Sequence, residues 1–135
     1  MMGFNQQPLN LSPRTILIFG VGLIFFAIVL GAFGAHGLKA MLDETKMNTF
    51  KTGVEYQYYH GFGLLFLGLL KINWPELRVN KVFAFMLVGV IFFCSNCYLY
   101  ALTGVKIFGI LVPIGGVSFL IAWFLLFMGL KRIGR

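Results

Sequence analysis

A chain of 135 residues is enough for a single domain. Apolar residues make up 59% of it and charged residues only 11%, where a soluble domain needs about 25% charged residues to keep its surface wetted; an ordinary water-soluble domain is excluded, and lipid is the expected solvent. The net charge of +7 does not read as a nucleic-acid footprint, because the basic residues sit in short gaps between apolar runs and form no continuous stripe; contact with anionic membrane lipids and orientation in the bilayer are the expected roles.

Residues 1–14 read as a flexible polar tail punctuated by Pro8 and Pro13, with Ser12 as the N-cap and Pro13 as the first residue of a helix. Thr15 to Ala35 carries no charge and is long enough to cross hydrocarbon, which takes about 20 residues of helix. Its length favours a span over the apolar core of a cleaved leader. From Gly37 to Gly53, charged residues alternate at helical spacing with Leu38, Met41, Leu42, Met47 and Phe50, which predicts a short amphipathic helix lying against the headgroups. The second span, over about 54–70, is the weakest by hydropathy; its polar entry holds Tyr56, Tyr58 and Tyr59, residues at home at a membrane interface, and a re-entrant segment is the alternative. A polar loop with Trp74-Pro75 leads to a third span over 82–102, and a tight connection at Gly104 to a fourth over 108–130. Residues 131–135 form a basic tail. The predicted fold is therefore an all-α membrane protein, a bundle of four transmembrane helices with an interfacial helix between the first and second.

Four spans put the N-terminus, the second loop and the C-terminus on one side. That side holds Arg14, Lys71, Arg78, Lys81, Lys131, Arg132 and Arg135 against Lys39, Lys46, Lys51 and Lys106 on the other, so both termini are expected in the cytoplasm. The same topology gathers His36, Glu55, Tyr56, Gln57, His60, Asn96 and Thr103 toward the opposite face as a polar cluster. Polar groups at membrane depth are costly and normally face the bundle interior or water. Tyr56 and His60 are four residues apart and share a helix face. Either His60 and Glu55 contact a ligand or relay a proton, or Glu55 reaches water and His60 bonds a neighbouring helix. Cys94 and Cys97, three residues apart, could form a metal site with His60 or serve as two small core hydrophobes. Ala27, Gly31 and Ala35 repeat at four-residue spacing, which lets helices approach closely within the bundle or in a homodimer. Pro113, Gly115 and Gly116 shape the fourth helix for packing. No Ser-His-Asp set, phosphate loop or pair of carboxylates is present, and no cofactor is expected.

Four ordered motifs carry a family likeness. They are Gly31-Ala32-Phe33-Gly34-Ala35-His36-Gly37-Leu38, Thr52-Gly53-Val54-Glu55-Tyr56-Gln57-Tyr58-Tyr59-His60, Ala101-Leu102-Thr103-Gly104, and Pro113-Ile114-Gly115-Gly116 followed by Trp123. Over about residues 15–130 the chain resembles the small bacterial inner-membrane proteins of the domain of unknown function 423 family, whose animal relatives are called transmembrane protein 256. The resemblance implies about four transmembrane helices and the bacterial inner membrane, and it implies no established activity. Cys94-Ser95-Asn96 stands where that family tends to have Ser-Gly-Ser, and Glu55 where relatives are often basic, which lowers a cysteine-metal site and a proton relay through Glu55 as family-wide functions.

The expected function is a non-enzymatic accessory or structural component of the membrane, with lipids and a homo-oligomer or another membrane protein as partners. A small oligomeric transporter or channel entered near His36, Tyr56, Gln57 and His60 is the first alternative, and a membrane metal-binding protein the second.

Overall fold

The computed structural model describes residues 11–133. The first ten residues of the expected polar tail, and Gly134 and Arg135 of the basic tail, lie outside them. Every regular element among the described residues is helical. Helix α1 (Pro13–Phe33) starts where Ser12 Oγ accepts the Thr15 amide at 3.1 Å, with proline in its first turn. A π turn (Gly34–Leu38) extends it into one rod, Pro13–Leu38. Helix α2 (Glu44–Asn73) is capped by Asp43, whose Oδ1 accepts the Lys46 amide at 2.9 Å. Helix α3 (Asn80–Gly89), a second π turn (Val90–Cys94) and helix α4 (Ser95–Thr103) form one continuous rod. Gly104, at φ 70°, ends it in the left-handed conformation that favours glycine and reverses the chain into helix α5 (Lys106–Leu130).

Three of these rods, Pro13–Leu38, Asn80–Thr103 and Lys106–Leu130, are long and apolar enough to cross a membrane. Only 17% of the most apolar stretch of the first is buried in the protein, and 28% of that of the last. Phenylalanines 19, 25, 26 and 33 of α1 and Ile110, Leu120, Phe124 and Phe127 of α5 face outward. An outer surface of that kind is solvated by hydrocarbon, not water.

The amphipathic stretch is not a separate helix lying on the headgroups. From Glu44 onward it is the first part of α2, which runs unbroken to Asn73. Met47 and Phe50 are buried against Leu38 of the π turn and Ala101 of α4, so this segment stands upright in the bundle. At about 1.5 Å per residue, the 30 residues of α2 are longer than a hydrocarbon core of about 30 Å.

Helix α2 is the centre of the assembly. It lies antiparallel to α1, with Gly68 against Leu17, Gly61 against Ile24 and the Gly20 carbonyl, and Phe50 against Gly34. Its Gly53 meets Cys97 and the Cys94 carbonyl on the other side. Helix α5 closes on the α3–α4 rod, with Gly115 against the backbone of Phe92 and Phe93. Two apolar clusters fill the ends of the bundle, one around Leu64, Leu67, Val82 and Met86, the other around Ala27, Phe50 and Ala101. Val90, Cys94 and Phe119 pack between them. The loop after α2 is pinned by Lys71, whose buried Nζ donates to the carbonyls of Pro75 and Leu77.

Candidate functional site

The polar side chains of α2 that face inward sit between the two apolar clusters, near mid-height of the bundle. Gln57 is 5% exposed and His60 4%. Gln57 Nε2 donates to the Leu23 carbonyl of α1 at 2.9 Å, and its Oε1 accepts the Tyr98 hydroxyl of α4 at 2.8 Å. One amide thus ties three helices together. His60 Nδ1 lies 2.8 Å from the Tyr56 carbonyl, and its Nε2 accepts the Trp123 indole N–H from α5 at 3.1 Å. An indole can only donate and a carbonyl can only accept, so the lone pair is on Nε2 and the proton on Nδ1. The two partners together hold a neutral imidazole in one tautomer.

Aromatic rings wall this site. The His60 ring stacks on Phe119 with centroids 3.4 Å apart and planes 11° from parallel, and Tyr56 stacks on Phe93 at 4.4 Å. Two further side chains bond backbone carbonyls nearby. Asn96 Nδ2 donates to the Phe92 carbonyl inside the π turn at 2.8 Å, and Ser118 Oγ of α5 donates to the Phe85 carbonyl at 2.7 Å. Where water is absent, a helix that departs from regular bonding must satisfy its carbonyls internally. Among the described residues, no buried side-chain nitrogen or oxygen lacks a hydrogen-bond partner.

The polar cluster expected at one face therefore divides. Gln57 and His60 are buried inside the bundle, while Tyr56 is exposed and reaches His60 through its backbone carbonyl. Asn96 is buried close by but bonds within its own rod. His36, Glu55 and Thr103 are exposed, and Thr103 Oγ1 is occupied by the Leu99 carbonyl and the Val105 amide. His36 and Tyr56 are exposed while Gln57 and His60 are buried, so the four residues do not share one exposed surface.

The residues expected to pack helices also separate. Ala27 is buried, Gly31 faces Val54 at ordinary contact distance, and Gly115 makes the tightest approach to the α3–α4 rod. Ala35 and Pro113 are exposed, so neither forms a seam with another helix of this chain. Gly116 has only the Phe93 ring within reach, at 3.8 Å. Approaches about as close as that of Gly115 are also made at Gly89, and only slightly looser ones at Gly20, Gly53 and Gly61, none of which sequence reasoning named as packing positions. Tyr98, Ser118 and Trp123 were missed as members of the polar network. Their signal was the single polar atom each carries inside an otherwise apolar run.

Cys94 and Cys97 are both free and buried. They pack against the α2 backbone at Gly53 as small hydrophobes. Among the described residues, no three His, Cys, Asp or Glu side chains come together as a metal site. A shallow groove of about 500 Å³ opens between α2, α4 and α5, lined by Thr45, Asn48, Thr49, Thr52 and Tyr100, without a charge.

A match to the family described as protein of unknown function, DUF423, covers residues 30–116, which hold Tyr56, Gln57, His60 and Tyr98. The chain belongs to the DUF423 family. A UPF0382 membrane protein of Staphylococcus saprophyticus is similar to this DUF423 protein at 36% identity over 120 residues, covering 89% of this chain and 99% of the relative. The UPF0382 membrane protein YwdK of Bacillus subtilis is 32% identical over 114 residues, or 84% of this chain and 93% of the relative. The UPF0382 inner membrane protein YgdD of Escherichia coli K12 is 32% identical over 125 residues, or 93% of this chain and 95% of the relative. No solved structure matches the chain. As a DUF423 member with three long apolar helices, the chain is a membrane protein, and its relatives' names carry no activity.

Proposed function

We propose that this DUF423 protein is a non-enzymatic, four-span component of the bacterial inner membrane that acts as an accessory or structural partner of another membrane protein, with both termini in the cytoplasm. The observation that carries this reading is the closure of the polar interior: each buried side-chain donor and acceptor among the described residues already has a partner. A site that binds a solute or passes protons needs polar groups left free to exchange partners. Here they join α1, α2, α4 and α5 into one unit. The fourth span is α2, whose outward positions Phe62, Phe66, Leu69 and Ile72 are apolar while Gln57, His60 and Lys71 turn inward. The orientation rests on the excess of Lys and Arg at the end of the bundle that holds Arg14, the 71–81 loop and the C-terminus.

Gentle detergent extraction is expected to recover a second membrane protein at fixed stoichiometry. Proteoliposomes of the purified chain are expected to leak ions and small solutes no faster than empty ones. A transport role is the second reading, favoured by the uncharged groove between α2, α4 and α5. Solute-dependent flux that falls in His60→Ala or Thr49→Leu, from a protein that always purifies alone, would replace the first reading with the second.

A further inference from the structure

At the end of the bundle where α1 begins and α5 ends, a cavity of about 840 Å³ opens between the loop after α2, the first turn of α3 and the last turns of α5. Four cations line it, Lys71, Arg78, Lys81 and Arg132, against one acid, Glu76. Among the described residues the only ion pair is Lys46 with Asp43, in the turn that begins α2 at the opposite end of the bundle, so none of the four forms an ion pair with another described residue. Lys71 is the most telling, because it is 6% exposed and meets only backbone carbonyls. Like charges gathered in a partly enclosed site repel one another and raise the affinity for an anion.

The depth of the cavity is apolar. Met128 and Leu125 lie one and two turns below Arg132 on α5, and Val82 faces them from α3. A basic mouth over an oily floor, at the end of helices that face hydrocarbon, matches an amphiphile with a phosphate head. Soluble anions would gain nothing from the floor, and neutral lipids nothing from the mouth. Basic pockets between transmembrane helices on the cytoplasmic side are where anionic headgroups bind, and the volume is within the usual range for a ligand site, about 300–1,000 Å³.

We propose that this cavity holds one anionic glycerophospholipid, its phosphate among Arg78, Lys81 and Arg132 and the start of its acyl chains against Val82, Leu125 and Met128. The proposal rests on α2 being a span, which sets this end of the bundle at a headgroup layer. The test is native mass spectrometry of the detergent-purified full chain with phosphatidylglycerol or phosphatidylcholine added at equal concentration. One phosphatidylglycerol per chain is expected to survive activation, with phosphatidylcholine lost. The triple variant Arg78→Gln, Lys81→Gln, Arg132→Gln should weaken retention by about tenfold or more. A triple variant with the same charge change elsewhere, Lys39→Gln, Lys51→Gln, Lys106→Gln, should retain the lipid as the parent does. Equal retention of the two lipids, or equal losses in the two triple variants, would overturn the site. Displacement of the lipid by sn-glycerol 3-phosphate at matching concentration would overturn it in favour of a soluble anion. Labelling of the 43 and 76 positions from opposite sides, with lipid binding absent, would reject the lipid and leave the four-span reading standing.

Discussion

Replacing Gly115 with alanine is expected to destabilise the bundle by about 1–3 kcal/mol, while the same change at its neighbour Gly116 is expected to be neutral or stabilising. A methyl group on Gly115 would lie 2.7 Å from Phe93 Cβ and 2.8 Å from the Phe92 carbonyl carbon, and closer still to the Phe93 amide nitrogen. Two of these are backbone atoms of the π turn and cannot rotate away, so α5 must shift from the α3–α4 rod. That displacement would also disturb Phe119, one turn along α5, on which His60 stacks. At Gly116 the nearest atoms are on the Phe93 ring at 3.8 Å and 3.9 Å, an ordinary contact. There the change removes glycine's helix penalty of up to about 1 kcal/mol. Unfolding of the two variants in detergent, followed by circular dichroism, should move the midpoint in opposite directions or leave Gly116→Ala unmoved. A matching loss at both positions would mean that the glycines act through helix propensity alone.

The contrast between these glycines marks how far the sequence can be read. The apolar runs behind α1, the α3–α4 rod and α5 are long and uncharged, so membrane solvent and helix type were legible from composition. Ser12, Pro13 and Gly104 were legible because capping and left-handed turns are local. Helix α2 was the weakest of the four because hydropathy averages over all faces. Its Gln57, His60 and Lys71 lower the average although they point inward, and the exposed apolar stripe of Phe62, Phe66, Leu69 and Ile72 is hidden in the same count. The interfacial helix was misread for a related reason. Its periodicity showed an apolar face but not whether lipid headgroups or Ala27, Leu38 and Ala101 would cover it. The π turns leave no simple pattern, since they shift the register by one residue; at the second, Gly115 lies against the backbone of Phe92 and Phe93 and Asn96 bonds the Phe92 carbonyl. Grouping His36, Glu55 and Thr103 with His60 followed from depth alone; the direction of each side chain around its helix separates them.

His60→Ala is the second change with a large expected effect, about 3 kcal/mol. Loss of a buried ring leaves a cavity against Phe119 and Trp123, and ring-to-alanine changes in cores cost about 3–5 kcal/mol. Lipid weakens the transfer part of that cost, because the alternative surroundings are also apolar. The indole N–H of Trp123 is left without its acceptor, which adds to the loss. A double-mutant cycle with Trp123→Phe should isolate a coupling of roughly 0.6–1.7 kcal/mol, the range for hydrogen bonds between membrane helices. If His60 were instead a transport or proton site, its removal would leave the unfolding midpoint near the parent value and show no coupling to Trp123.

The central claim is that α2 crosses the bilayer with its polar groups turned into the bundle. Single cysteines at Asp43 and Glu76, both exposed just beyond the two ends of α2, test it in a chain whose Cys94 and Cys97 are replaced by alanine. With a membrane-impermeant maleimide, Asp43→Cys should label in intact spheroplasts and Glu76→Cys only after the membrane is permeabilised. Labelling of both positions from the same side would contradict the span, and with it the reading of Gln57, His60 and Trp123 as a network inside a four-span bundle.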